Sequence, residues 1–133
     1  MKIEEIEGIG PAYGAKLTAA GVTTTEQLLE RGASRKGRTE LAGTTGITDT
    51  LILEWVNHAD LMRIKGVGSE YSDLLEAAGV DSPAELAQRN AANLALAIAD
   101  VNEKKKLVRQ APSDSVVAGW IAEAKTMKKI VEH

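Results

Sequence analysis

The sequence predicts an all-α fold in which two tandem copies of one unit, residues 1–63 and 64–133, pack into one compact domain of about eight to ten short helices. Three observations predict it. The stretch Ile6-Glu7-Gly8-Ile9-Gly10, with Tyr13, Leu17 and Ala19-Ala20-Gly21-Val22, returns as Ile64-Lys65-Gly66-Val67-Gly68, with Tyr71, Leu75 and Ala77-Ala78-Gly79-Val80. No segment keeps up the alternation of apolar and polar residues that marks a strand. The apolar residues are small and aliphatic: Phe is absent, Trp55, Trp120, Tyr13 and Tyr71 are the aromatic side chains, and small residues let helices approach closely.

The repeat places Gly66 58 positions after Gly8, and Gly68 the same distance after Gly10. A second correspondence runs at a spacing of 65: Thr48-Asp49-Thr50, Trp55 and Ala59 answer Ser113-Asp114-Ser115, Trp120 and Ala124. The difference between the two spacings puts seven extra residues in the second copy, between its glycine turn and its Trp helix.

Element by element, a short helical lead-in near Ile3 to Ile6 precedes a tight turn through Gly8-Ile9-Gly10. Pro11 at a first helical position and Gly21 just past an end bracket a helix reaching about Ala20. Thr23 or Thr24 caps the next, which carries Leu28 and Leu29 and stops near Gly32. A weaker helix, with Gly37 inside it, runs from Ser34 to Ala42. Thr48 caps the long helix through Leu51-Ile52-Leu53-Glu54-Trp55-Val56, whose apolar face continues to Ala59 and Met62. In the second copy, helices are expected from about Glu70 to Ala78, from Pro83 to Arg89 and from Ala91 onward, the last broken at Asn102. Pro112-Ser113 then starts a closing helix from Val116 to about Val131.

Composition narrows the function classes. No apolar run approaches the roughly 20 residues of a membrane span, and Met1-Lys2-Ile3-Glu4-Glu5 has no signal-peptide core, so a cytoplasmic protein that engages no membrane is expected. Cysteine is absent, which removes disulfide and thiolate chemistry, and two histidines, His58 and His133, do not make a zinc site. The net charge of −3 speaks against a surface that attracts nucleic acid everywhere. Its distribution is uneven, however, with bases gathered at Arg31/Arg35/Lys36/Arg38, at Lys104-Lys105-Lys106/Arg109 and at Lys125/Lys128/Lys129. Acids crowd Glu4/Glu5/Glu7 and Glu70/Asp73/Glu76.

The repeated turn carries the most chemistry. Its glycines permit backbone angles closed to other residues, and the apolar residue between them, Ile9 or Val67, is placed to anchor the turn inward. The second glycine, Gly10 or Gly68, opens a helix whose first amides have no partner inside the helix and favour an anion such as a phosphate oxygen.

On these residues, and on Ala59 through Gly68, the chain resembles the helix-hairpin-helix family, and specifically a bacterial family of unknown function built from tandem units of that kind, over almost its whole length. The resemblance implies that Thr45-Gly46-Ile47 is a degenerate partner of the first hairpin and that the partner of the second falls near Ala111-Pro112-Ser113. It also implies weak, sequence-independent DNA binding through hairpin amides and nearby cations, sometimes with a monovalent cation held by hairpin carbonyls. The residues that would take part are Gly8, Gly10, Lys16, Arg35, Lys36, Arg38, Lys65, Gly66, Gly68, Lys104, Lys105 and Lys106. The chain departs from the DNA-binding pattern two positions after the second glycine, where a frequent Lys or Arg is replaced by Ala12 and Glu70.

Competing readings carry less. Gly8-Ile9-Gly10-Pro11-Ala12-Tyr13-Gly14 lacks the preceding buried strand of a dinucleotide loop, and no Walker A, Gly-x-Ser-x-Gly or HExxH motif is present, so no enzyme is expected. Glu70 and Asp73 read as complements of a helix dipole before they read as metal ligands, and Trp55 and Trp120 as core before base-stacking platforms. Two functional expectations follow: a non-catalytic module that contacts the nucleic-acid backbone, or a protein-interaction scaffold that uses the repeats only as a packing framework.

Overall fold

Eight α-helices and no strand account for the regular structure of the computed structural model, which describes residues 1–133. The chain divides into two compact units, Met1–Asp60 with Ile130–His133, and Leu61–Lys129. The first division thus falls close to the repeat boundary, while the last four residues belong to the first unit.

In the first unit a 3-10 helix, Ile3–Glu5, leads into the turn and then α1 (Pro11–Ala19), α2 (Thr25–Gly32), α3 (Arg35–Thr45) and α4 (Asp49–Leu61). The lead-in is fixed from the side: Ile3 donates its amide to the Thr23 carbonyl at 3.2 Å, and Ile3 itself is fully buried. Alpha-helices α1 and α2 both pack on α3. Gly32 lets α2 approach α4 closely, since a Cβ there would sit 2.5 Å from the Val56 side chain. Gly37, which weakens α3 on propensity alone, is required by packing: a Cβ would lie 2.1 Å from the Arg31 carbonyl. Helix α3 runs through to Thr45, past the expected stop at Ala42, and ends at left-handed Gly46.

The second unit contains α5 (Ser69–Ala77), α6 (Pro83–Ala87), α7 (Ala91–Lys105) and α8 (Asp114–Ala124). Its core joins Leu61, Ile64 and Val67 to Leu75, Leu86, Leu94, Ile98, Val117 and Trp120. Helices α7 and α6 pack on α8, and α5 on α7. The extra length of this copy lies in α7, with 15 residues against 11 in α3, and in the connection that follows it.

Boundaries move in the second unit too, where α6 ends at Ala87 before the expected Arg89. Asn102 does not break α7, because its side chain points on to accept the Val108 amide at 2.9 Å and so organises the turn after the helix. The closing helix stops at Ala124 rather than Val131. Thr126 turns back, with both its amide and its hydroxyl on the Glu123 carbonyl, and the chain beyond has no helix or strand.

Candidate functional site

Each repeated turn is built in the same way. The Ile9 amide donates to the Ile6 carbonyl at 3.1 Å, and the Val67 amide to the Ile64 carbonyl at 3.0 Å. That bond needs a left-handed residue at the corner, supplied by Gly8 at φ +93° and Gly66 at φ +89°. A Trp closes over each corner: a Cβ at Gly8 would lie 3.4 Å from Trp55 Nε1, and one at Gly66 3.5 Å from Trp120 Nε1. Tyr13 and Tyr71 meet these rings, with centroids 5.1 and 5.2 Å apart and planes inclined at 62° and 56°. The anchors Ile9 and Val67 are buried, as are both Trp side chains. The first glycine and the anchor are therefore explained by the turn itself.

The second glycine is not explained that way. Gly10 (φ −84°, ψ −175°) and Gly68 (φ −95°, ψ −166°) sit in extended backbone that any residue adopts, and a Cβ on either would meet nothing within 4 Å. Both are helix N-caps, of α1 and α5, and neither supplies a side-chain cap. The other six helices are capped by side chains: Thr24, Ser34, Thr48, Ser82, Asn90 and Ser113 each accept an amide of the first turn. The chain thus caps every helix except the two that open from its glycine turns.

The cations expected nearby separate into groups. Lys16 lies exposed on α1, its Nζ 6.0 Å from the Tyr13 ring centroid. Lys65 is exposed within the second turn, where its amide donates to the Glu123 carboxylate at 3.1 Å. Lys36 is exposed at the start of α3. Lys104 and Lys105 are exposed in the last turn of α7, Lys104 paired with Asp100 at 3.0 Å, and Lys106 is the exposed cap that ends it.

Arg38 differs from all of these. It is 5% exposed, and its guanidinium donates to the carbonyls of Gly32 at 2.9 Å, Ala33 at 3.2 Å and Glu132 at 2.6 Å. Burial lowers its pKa from the ordinary value, against the opposing pull of the Glu132 carboxylate. Its donors hold the fold together and are not presented to an outside anion. Arg35 remains exposed, with its guanidinium on the His133 carbonyl, at 2.7 Å from Nε.

One pair of cations went unrecognised in the sequence although the register contains it. Arg31 donates from Nη1 to the Ala20 carbonyl at 3.1 Å, at the end of α1, and its Nη1 lies 3.7 Å from where a Cβ on Gly21 would be. Arg89, 58 positions later, stands 3.9 Å from the same point on Gly79. The shared spacing was the available signal: each guanidinium covers the end of the helix that follows a glycine turn, where a helix leaves carbonyls without internal partners.

These features define an all-helical, internally duplicated protein with two glycine turns of one geometry. The chain belongs to the family described as a domain of unknown function, DUF4332, whose model matches residues 7–127. No curated protein and no solved structure matches it.

Proposed function

We propose that the two turns are helix-hairpin-helix elements and that they bind the phosphate backbone of nucleic acid, without catalysis and without sequence preference. A single observation carries this reading: α1 and α5 keep an uncapped N-terminus behind a glycine that neither conformation nor internal packing requires. A phosphate oxygen is a group that fills such a place, since it accepts the first amides, complements the helix dipole and needs the absence of a Cβ to approach. Pro11 has no N–H to give, so α1 offers Ala12 and Tyr13 amides, with Lys16 one turn on. At α5 the Glu70 carboxylate stands exposed in the first turn and opposes an anion. The first hairpin is accordingly the stronger phosphate site, and Lys36 and Lys104 to Lys106 add charge from other faces.

The test is fluorescence anisotropy of labelled single- and double-stranded DNA and RNA at about 50 and 200 mM salt, since phosphate contacts weaken steeply as salt rises. Beside the parent stands the double variant Gly10→Ser/Gly68→Ser, which gives α1 and α5 the side-chain cap the other helices have. The variant folds and is a few tenths of a kcal/mol more stable, while its salt-sensitive binding is lost. Absence of binding by the parent at low salt retires the reading. A scaffold role is the second reading, favoured by the net charge of −3 and by Glu70, and in that case the cap variant changes stability alone.

A further inference from the structure

Residues Ile130–His133 belong to the first unit as a segment without helix or strand. Val131 is 1% exposed, while Ile130, Glu132 and His133 on either side are exposed. Glu132 is held through its main chain: its amide donates to the Ala33 carbonyl at 2.7 Å, and its carbonyl accepts from Arg38 Nη2 at 2.6 Å. The Arg35 amide reaches a Glu132 carboxylate oxygen at 3.4 Å, and Arg35 Nε the His133 carbonyl at 2.7 Å. The His133 ring and the Asn57 side-chain oxygen are 2.9 Å apart. Arg38 is fixed beforehand, because its Nη1 is already on the carbonyls of Gly32 and Ala33, which leaves Nη2 for the incoming peptide carbonyl. His133 also lines a cavity of about 420 Å³ together with Arg38, Thr39, Asp49 and Leu53.

Main-chain bonds on both sides of one residue, with a buried side chain next to it, are how extended peptides are recognised. We propose that this face of the first unit is a peptide-recognition groove for a β-branched residue followed by an acidic one, and that a second copy of this chain can supply the segment in place of the chain's own residues 130–133. The charges are complementary: Arg35 Nε stands 4.0 Å from a Glu132 carboxylate oxygen, and Arg38 lies in the field of the same carboxylate. The contacts join residues 76 to 99 positions apart, and exchanging the segment between two copies keeps every one of them. The tether decides the balance. Covalent attachment gives the segment roughly millimolar effective concentration, so the intramolecular form prevails in dilute solution and exchange rises with protein concentration.

A fluorescent peptide covering residues 126–133 tests the groove against the full-length chain. Val131→Asp displaces the resident segment by charging its buried residue, and Glu132→Pro removes the amide bonded to Ala33 while leaving Val131 in place. The labelled peptide binds either folded variant at least tenfold more tightly than it binds the unaltered chain, and adding Arg38→Ala abolishes that binding. Light scattering of the unaltered chain shows a dimer whose fraction grows with concentration and falls when the free peptide is added. Equal affinity for the unaltered chain and both variants, or binding that survives Arg38→Ala, overturns the groove. A chain that stays monomeric at every concentration overturns the second copy as its occupant.

Discussion

The two units keep the same glycine turn and differ in the charge placed around it. In the first, the loop before α2 is neutral: the Thr23 amide and hydroxyl both donate to the Gln27 side chain, at 2.8 and 2.9 Å, as Thr24 caps the helix. In the second the same places hold Asp81 and Glu85, two acids around the Ser82 cap. At the end of α3 the left-handed cap is Gly46, whereas at the end of α7 it is Lys106, at φ 53°. Arg38 closes the first unit from inside, and the basic cluster of the second, by contrast, is exposed at the end of α7. The difference teaches that the two copies share the turn, its Tyr–Trp pair, the Arg over the end of the following helix and the pattern of N-caps, while the charge around them and the residue that ends α3 or α7 vary.

The largest expected effect of breaking this contrast comes from Arg38→Ala. It leaves the carbonyls of Gly32 and Ala33 without their buried donor and releases Glu132, at a cost of about 2–3 kcal/mol. Hydrogen exchange locates the loss in residues 1–60 and 130–133, with amides of residues 61–129 affected least.

Next in size is Lys106→Gly, which gives the second unit the cap of the first. A left-handed Lys is strained by about 1 kcal/mol relative to Gly, so the variant gains up to that amount in chemical denaturation. Protection rises at the end of α7.

Glu85→Gln is the smallest change and the one that depends on pH. Partial burial, and then Asp81, raise the Glu85 pKa above its ordinary 4.5. The folded state therefore holds the Glu85 proton more tightly than the unfolded chain. Its contribution favours folding below that range and is lost as pH rises through the interval just above 4.5. The Gln variant removes this slope and, at neutral pH, gains about 0.2–0.5 kcal/mol by relieving the i,i+4 pair of acids. Thermal melts of parent and variant across about pH 4 to 7 diverge as pH rises.

Much of this was legible in the sequence because repetition and capping are written in local residue types. The 58-residue register exposed both turns, Pro11 and Gly21 bracketed a helix through backbone preference, and Thr24, Thr48 and Ser113 marked helix starts through the bonds their own side chains make. What direction a side chain takes is not written locally. Arg38 stands among Arg31, Arg35 and Lys36 in sequence, yet its place on α3 turns it inward to carbonyls that include one 94 positions away. Val131 continues the apolar spacing of Val117, Ile121 and Ala124, so a longer closing helix fits the pattern, but the Thr126 turn diverts the chain and buries Val131 in the first unit. The uncapped state of α1 and α5 became meaningful only once the other six caps were seen beside it.

The measurement that tests the central claim most directly compares Gly10→Ser with Gly68→Ser as single variants in the nucleic-acid anisotropy titration at low salt. The account predicts that both fold as the parent does and that Gly10→Ser loses most of the affinity, because Glu70 already weakens the hairpin of Gly68. Unchanged affinity in both folded variants, or greater loss from Gly68→Ser, contradicts it.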